Sequence, residues 1–331
     1  MMIRLLPLLT VGALALAGCG PQGGLLIRPV RTTQKLTETT VAGDTGWFVR
    51  RKIVLIDVSG TIVNQQQRTL LGGGENPVSL FAEKMEKARR DDQVVGLILR
   101  IDSPGGSVTA SDMMHTEVRR FRARRPDVPV LALIEGTGAS GAYYLAVGAE
   151  EIYAHPTSVT GSIGVIVPAF SIAGTMAKLG ITAEMITSGP FKDMASPFEP
   201  LDPEDLAILQ RIVNEFYETF ITVVDQGRPN LSIEEVRRLA DGRVYTGQQA
   251  VDLGLVDGLG TVYDAIDRIR DRADADRVRI VIYHRPLGYR GSVYAEPPAP
   301  AAPQMNLINI NAPDLWEMMS PKFMYLWTGR R

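Results

Sequence analysis

The chain has 331 residues, 45% of them hydrophobic and 22% charged, with a formal net charge of −2. That supplies a sizeable core, and the near-neutral balance gives no reason to expect nucleic acid as a partner. A single cysteine, Cys19, excludes an internal disulfide, a CxxC redox pair and a multi-cysteine zinc site; His115, His155 and His284 lack spaced metal partners, so neither metal nor cofactor is expected.

The N-terminus reads as a targeting segment. Arg4 precedes an apolar run of signal-peptide length, too short for a membrane span of ~20 residues. The run ends in Leu16-Ala17-Gly18-Cys19, which resembles a bacterial lipobox, in which the cysteine is acylated and becomes the mature N-terminus. Its acyl chains would anchor the protein stably to a membrane. Gly20, where aspartate is absent, favours the outer membrane by resemblance to Gram-negative lipoprotein sorting. The expected organisation is a signal peptide over 1–18, a tether and first strand over 19–50, a folded domain over 51–285, and a tail over 286–331.

From Lys52 the pattern becomes regular. "KIVLIDVSG" predicts a strand, "GGGEN" a flexible loop, and "PVSLFAEKMEKARRD" a helix with Leu80, Met85 and Ala88 on its apolar side. "VVGLILRID" predicts a buried strand, "SPGG" a turn, "VTASDMMHTEVRRFRARR" a helix and "VPVLALIE" another strand. A helix through Val147 follows, then strands at "EIYAHP", "GVIVPAF" and "ITAEMIT". This alternation predicts an α/β fold with a mostly parallel sheet. Residues 203–273 read as helical, before a strand at "RVRIVIY". The tail opens with the Pro/Ala linker "AEPPAPAAPQ" and closes on Trp316, Met318, Met319, Phe323, Tyr325 and Trp327. So apolar a segment has to dock on its own domain, on a neighbouring subunit or on the bilayer.

Gly136-Thr137-Gly138-Ala139-Ser140-Gly141 spells G-x-G-x-x-G, the pattern of a dinucleotide cradle. Such a cradle needs an acid about 20 residues further on for the ribose hydroxyls, and none stands there. The alternative is a tight turn presenting Ser140 as a nucleophile. Its surroundings do not match the G-x-S-x-G elbow, and no S-x-x-K occurs. Lys192, between Phe191 and Met194 in "SGPFKDMASPFEPL", is a candidate base. A lysine base needs its pKa lowered by about three units, roughly 4 kcal/mol, which burial can supply. In "RIDSPGGSV", consecutive glycines after a strand let backbone N–H groups approach a reacting carbonyl.

Five ordered segments, "RIDSPGGSV", "GTGASGAYYLA", "TGSIGV", "SGPFKDMASPFEPL" and "GRVYTGQQAVDLGLVDGLG", together resemble the signal peptide peptidase A family, over about residues 52–270. The resemblance implies a Clp protease/crotonase-like fold: a repeated ββα superhelical core with a mostly parallel sheet, plus a helical C-terminal region. It implies Ser140 as nucleophile, Lys192 as general base, Ser162 as the residue orienting the lysine, and an oxyanion hole from Gly141 with Gly106 or Gly105. It further implies hydrophobic, unfolded peptides as substrates, notably cleaved signal peptides, and a homo-oligomeric ring near the bilayer on the periplasmic side. Longer members carry two copies of the core and this chain one, so the dyad can meet within a subunit or across an interface. Two rivals are a non-catalytic lipoprotein scaffold and a crotonase-like acyl-CoA enzyme, the latter disfavoured by the export signal.

Overall fold

A computed structural model describes residues 35–46, 48–65, 68–69, 72–73, 75–285 and 322–328. The signal peptide and Cys19 lie outside the described residues. In chain order the elements are β1 (Thr37–Gly43), β2 (Lys52–Ser59), β3 (Arg68–Thr69), β4 (Gly72–Gly73), α1 (Pro77–Arg89), β5 (Val94–Ser103), β6 (Gly105–Ser107) and α2 (Val108–Arg124). Then come β7 (Val130–Ala139), α3 (Gly141–Ala146), β8 (Glu151–Ala154), β9 (Val159–Gly161), α4 (Ala173–Lys178), α5 (Pro203–Gly227) and α6 (Ile233–Leu239). The order closes with β10 (Val244–Thr246), α7 (Gly247–Asp252), β11 (Gly258–Leu259), α8 (Val262–Arg272), β12 (Arg279–His284) and β13 (Met324–Leu326). From Leu36 onward the described residues form one compact unit.

The main sheet runs β1-β12-β2-β5-β7-β8-β11, with β9 on the far end of β7 and β10 beyond it. Only the β1–β12 and β9–β10 pairs are antiparallel. This is the mostly parallel α/β architecture the resemblance implies.

The central strands are rich in Ile, Val and Leu because both faces of a parallel sheet are covered. Successive side chains go to opposite sides: Val54 and Ile56 join the larger core with α1, α2 and α3, while Ile53 and Leu55 join a second core under α8. Helix α8 turns Val262, Ala265, Ile266 and Ile269 inward, the spacing of a helix with one buried face. Helix α5 starts at Pro203, with Asp202 capping it by accepting from the Glu204 N–H at 2.7 Å. At its other end Arg228 is buried and grips Asp257 through two bonds of 2.8 and 2.9 Å. Asp257 also accepts from the Ile152 N–H of β8 at 2.7 Å, which ties α5 to the sheet.

Two predicted strands are absent. Residues 181–187 are irregular, and "GVIVPAF" makes only an isolated antiparallel bridge, from Ile166 to Met324. Ile181 and Ile186 are exposed, and the Ile181 N–H returns to Met176 O to close α4. Backbone groups without a neighbouring strand have no ladder to join. Among the described residues no helix is long and apolar enough to cross a membrane.

Candidate active site

Strand β7 runs through Ala139 and delivers Ser140 at the junction with α3. Ser140 has φ 54° and ψ −117°, a conformation costing a non-glycine residue about 1–3 kcal/mol. It is held there from both sides. Its N–H donates to Gly161 O at 2.7 Å, and its carbonyl accepts from the Tyr144 N–H at 2.9 Å. A strained strand-to-helix junction is how a hydroxyl is projected out of a sheet edge.

Ser162 sits beside it. The parallel register pairs Ala139 with Gly161, so Ser140 and Ser162 are the next residues along the two strands. Ser162 also has positive φ, 50°, is buried, and donates its N–H to Arg243 O at 2.7 Å.

The two earlier glycines have different duties. Gly105 adopts φ 96°, takes Ser103 Oγ on its N–H at 3.1 Å, and gives its carbonyl to the Ile62 N–H at 2.9 Å. Gly106 faces the other way, toward β13. Flanking bonds, Val108 N–H to Phe323 O at 3.3 Å and Trp327 N–H to Pro104 O at 2.9 Å, fix the alternation of this antiparallel pair. Gly106 and Tyr325, which oppose each other midway, are therefore a hydrogen-bonded pair.

The C-terminal strand thus lies across the site. On its other side Met324 and Ile166 exchange two backbone bonds of 3.0 Å. The Tyr325 carbonyl oxygen packs so closely that a Cβ on Gly105 would overlap it, and one on Gly141 would come within 3.0 Å. A Gly141 Cβ would also collide with Ser111 Oγ, and a Gly106 Cβ with the Ile62 backbone. Glycine is required at 105 and 106 because backbone has to approach backbone, and at 141 because Ser111 Oγ leaves no room for a Cβ. The Tyr325 side chain is fully buried between Tyr144 and Phe220.

Lys192 makes no bond to this cluster. It lies exposed on a turn whose N–H returns to Gly189 O at 3.1 Å. Among the described residues its side chain has neither a hydrogen bond nor an ion pair. Its apolar neighbours along the chain do not desolvate the amine: Phe191 is itself 43% exposed.

His115, on α2, packs edge-on against Tyr144 with ring centroids 5.2 Å apart. Burial, aided by Arg119, pushes its pKa down to about 4, so it is neutral at physiological pH. His155 bonds Thr157 in its own turn, and His284 bonds Thr39 at the β1 edge, so both have structural partners. Among the described residues no group of three or more His, Cys, Asp or Glu is placed to hold a metal.

The groove residues Ile166, Tyr144, Phe216 and Phe220 escaped the sequence reading. Phe216 and Phe220 share one face of α5 at i, i+4 spacing, a signal that does not separate a pocket wall from ordinary core.

The family model described as Peptidase family S49 matches residues 122–276. An Enterococcus faecium protein assigned the name signal peptide peptidase SppA is 34% identical over 233 residues, 70% of this chain and 67% of its own. A Synechocystis protein named as a protease is 38% identical over 216 residues, 65% of this chain and 72% of its own. Protease 4 of Salmonella typhi is 32% identical over 221 residues, 67% of this chain and 34% of its own length.

Proposed function

Since the chain belongs to peptidase family S49 and is a peptidase of the signal peptide peptidase type, we propose that Ser140 is its nucleophile, Lys192 its general base and Ser162 the group orienting the lysine. The observation that carries this reading is the seating of a peptide carbonyl, that of Tyr325, against Gly105, Gly106 and Gly141 beside the strained Ser140. A peptide from another protein would lie the same way, as a strand between β6 and Ile166.

The Lys192 amine takes the Ser140 Oγ proton as Oγ bonds to the carbonyl carbon. The carbonyl electron pair moves onto oxygen, where the Gly106 and Gly141 N–H groups donate to it. The C–N bond then breaks as Lys192 returns the proton to the leaving amine. Water next attacks the ester, and Ser140 recovers its proton with release of the new carboxylate.

For this, Lys192 has to approach Ser140, by closure of its turn or from a neighbouring copy. Support for the second route comes from the chain segment that leads to it, which leaves Phe170, Leu179, Ile181, Ile186 and Phe191 exposed. We place the enzyme in a homo-oligomeric ring. It is tethered through acylated Cys19 to the bacterial outer membrane, faces the periplasm and degrades released signal peptides and other hydrophobic unfolded segments.

The test is cleavage of a synthetic hydrophobic signal peptide by the full chain, wild type beside Ser140→Ala. Activity that disappears with the hydroxyl supports the reading. Equal cleavage in both proteins overturns it.

A further inference from the structure

A cleft of about 570 Å³ opens at the end of α3 away from Ser140. Ser140 precedes the first residue of this helix, whereas Val147, which follows its last, lines the cleft. Helix α2 contributes His115, Arg119 and Arg122, which share one face at i, i+4 and i+7 spacing. The end of α5 contributes Val223 and Gln226, and Arg272 comes from α8. No side chain that the proposed reaction uses is among them.

The polar groups here are held in place but not satisfied. Arg122 is fixed by its Nη1, which donates to Gly148 O at 2.8 Å and to Ala149 O at 3.2 Å. Its Nε is buried with no hydrogen bond, and its ion pair with Glu150 spans 3.6 Å. Arg119 has one long contact, to the neutral Gln226 Oε1 at 3.3 Å, and pairs with no acid among the described residues. His115 is 5% exposed, and neither ring nitrogen has a hydrogen-bond partner among the described residues. Burial, and then Arg119, hold its pKa at about 4, so the ring is neutral and offers a single N–H. Buried polar groups are almost always bonded, so unpaired donors gathered at one cleft point to a ligand.

Charge selects the ligand. Three arginines and two glutamates, Glu150 and Glu151, line the cleft, which leaves one positive charge over. The glutamates are already paired, Glu150 with Arg272 at 2.5 Å and Glu151 with Arg268 at 2.8 Å. One excess charge matches a carboxylate and falls short of a phosphate dianion, and a guanidinium meets two carboxylate oxygens in parallel. We propose that this cleft binds the C-terminal carboxylate of a short peptide, the group that every cut made by a peptidase creates, with Arg119, Arg122 and His115 donating to its oxygens. Val147 and Val223 give the last side chain of that peptide an apolar wall. This is a second peptide site, and it requires that the chain be a peptidase but not that Ser140 be the nucleophile.

Isothermal titration calorimetry on the full chain measures binding of acetyl-Leu-Val, of its C-terminal amide and of inorganic phosphate, with mass spectrometry to check that the peptide stays intact. The acid should bind about 10-fold or more tighter than the amide, which has lost the charge, and tighter than phosphate. Arg119→Ala should weaken the acid by about 10-fold. The unfolding midpoint should stay in place, since this side chain is exposed. Arg119→Lys, which keeps the charge and loses the fork, should recover part of the affinity. Ser140→Ala should leave every affinity as it is, so that loss of the nucleophile and loss of this site appear in different measurements. Equal affinities for acid and amide overturn the inference, as do tighter binding of phosphate and absence of binding by the acid. Acid-selective binding untouched by Arg119→Ala puts the carboxylate elsewhere and overturns it too.

Discussion

Ile166 and Met324 exchange two backbone hydrogen bonds of 3.0 Å, and through them the C-terminal strand becomes the middle of three extended segments. β6 supplies the opposite edge. The Ile166→Pro variant loses the donated N–H. A peptide held by the same edge should show its KM raised by about 5- to 10-fold with kcat little changed, the worth of one backbone hydrogen bond. A fall confined to kcat would assign Ile166 a different role.

An occupied groove is a competed groove. β13 is covalently part of the chain, and a tethered segment competes at an effective concentration near the millimolar range. Tyr325→Gly should therefore raise the initial rate on a dilute added peptide by about 10-fold or more. Progress curves at peptide concentrations below KM make the comparison. An unchanged rate would show that β13 does not compete with peptide supplied in solution.

Ser140 trades stability for position. Glycine tolerates φ 54° without strain and alanine does not, so Ser140→Gly should unfold later than Ser140→Ala by about 1 kcal/mol, although both lack the hydroxyl. Thermal or urea unfolding of the two variants side by side decides it. Equal stability would mean that the junction is not strained.

Lys192→Ala is the complementary case. The side chain is exposed, so its removal should leave unfolding unchanged within about 0.5 kcal/mol. On the proposed mechanism its loss should lower kcat by about 100-fold or more. Full activity in a normally stable variant would exclude it from the chemistry.

His115 makes stability depend on pH. Its folded pKa lies near 4, against 6.5 for the free side chain, because burial disfavours the charge; Arg119 and Arg122 add to this and Asp112 opposes them. Above pH 6.5 the group is neutral in both states and contributes no pH dependence. As pH falls from 6.5 toward 4 the unfolded chain takes the proton first, removing up to about 3 kcal/mol of stability. His115→Gln should flatten that part of the unfolding profile. An equally steep fall in the variant would assign the acid sensitivity to other groups.

The strands of the sheet were readable wherever a segment carries its own hydrophobic pattern. β2, β5, β7 and β12 are runs of Ile, Val and Leu, and their helices show one-sided spacing. The turn around Ser140 was readable for a different reason. Gly105, Gly106 and Gly141 are required by close approach of neighbouring atoms, and that requirement leaves a mark in the residue type. The place of β13 left no such mark, because Met324-Tyr325-Leu326 has no period of its own and pairs only with an edge formed by distant segments. Residues 181–187 misled for the converse reason, being rich in strand-favouring residues but without a neighbouring edge to join. Lys192 shows the remaining gap: apolar neighbours along the chain did not become apolar neighbours in space.

The sheet places β12, from the far end of the domain, between β1 and β2. A chain made from its N-terminus therefore carries β2 with one edge open until residues 279–284 have emerged. Ser162 waits similarly for Arg243, whose carbonyl receives its N–H. The last strand of the main sheet in chain order thus completes the first ones laid down, and the backbone around Ser140 and Ser162 reaches its final bonding only when segments more than 80 residues further along have been made.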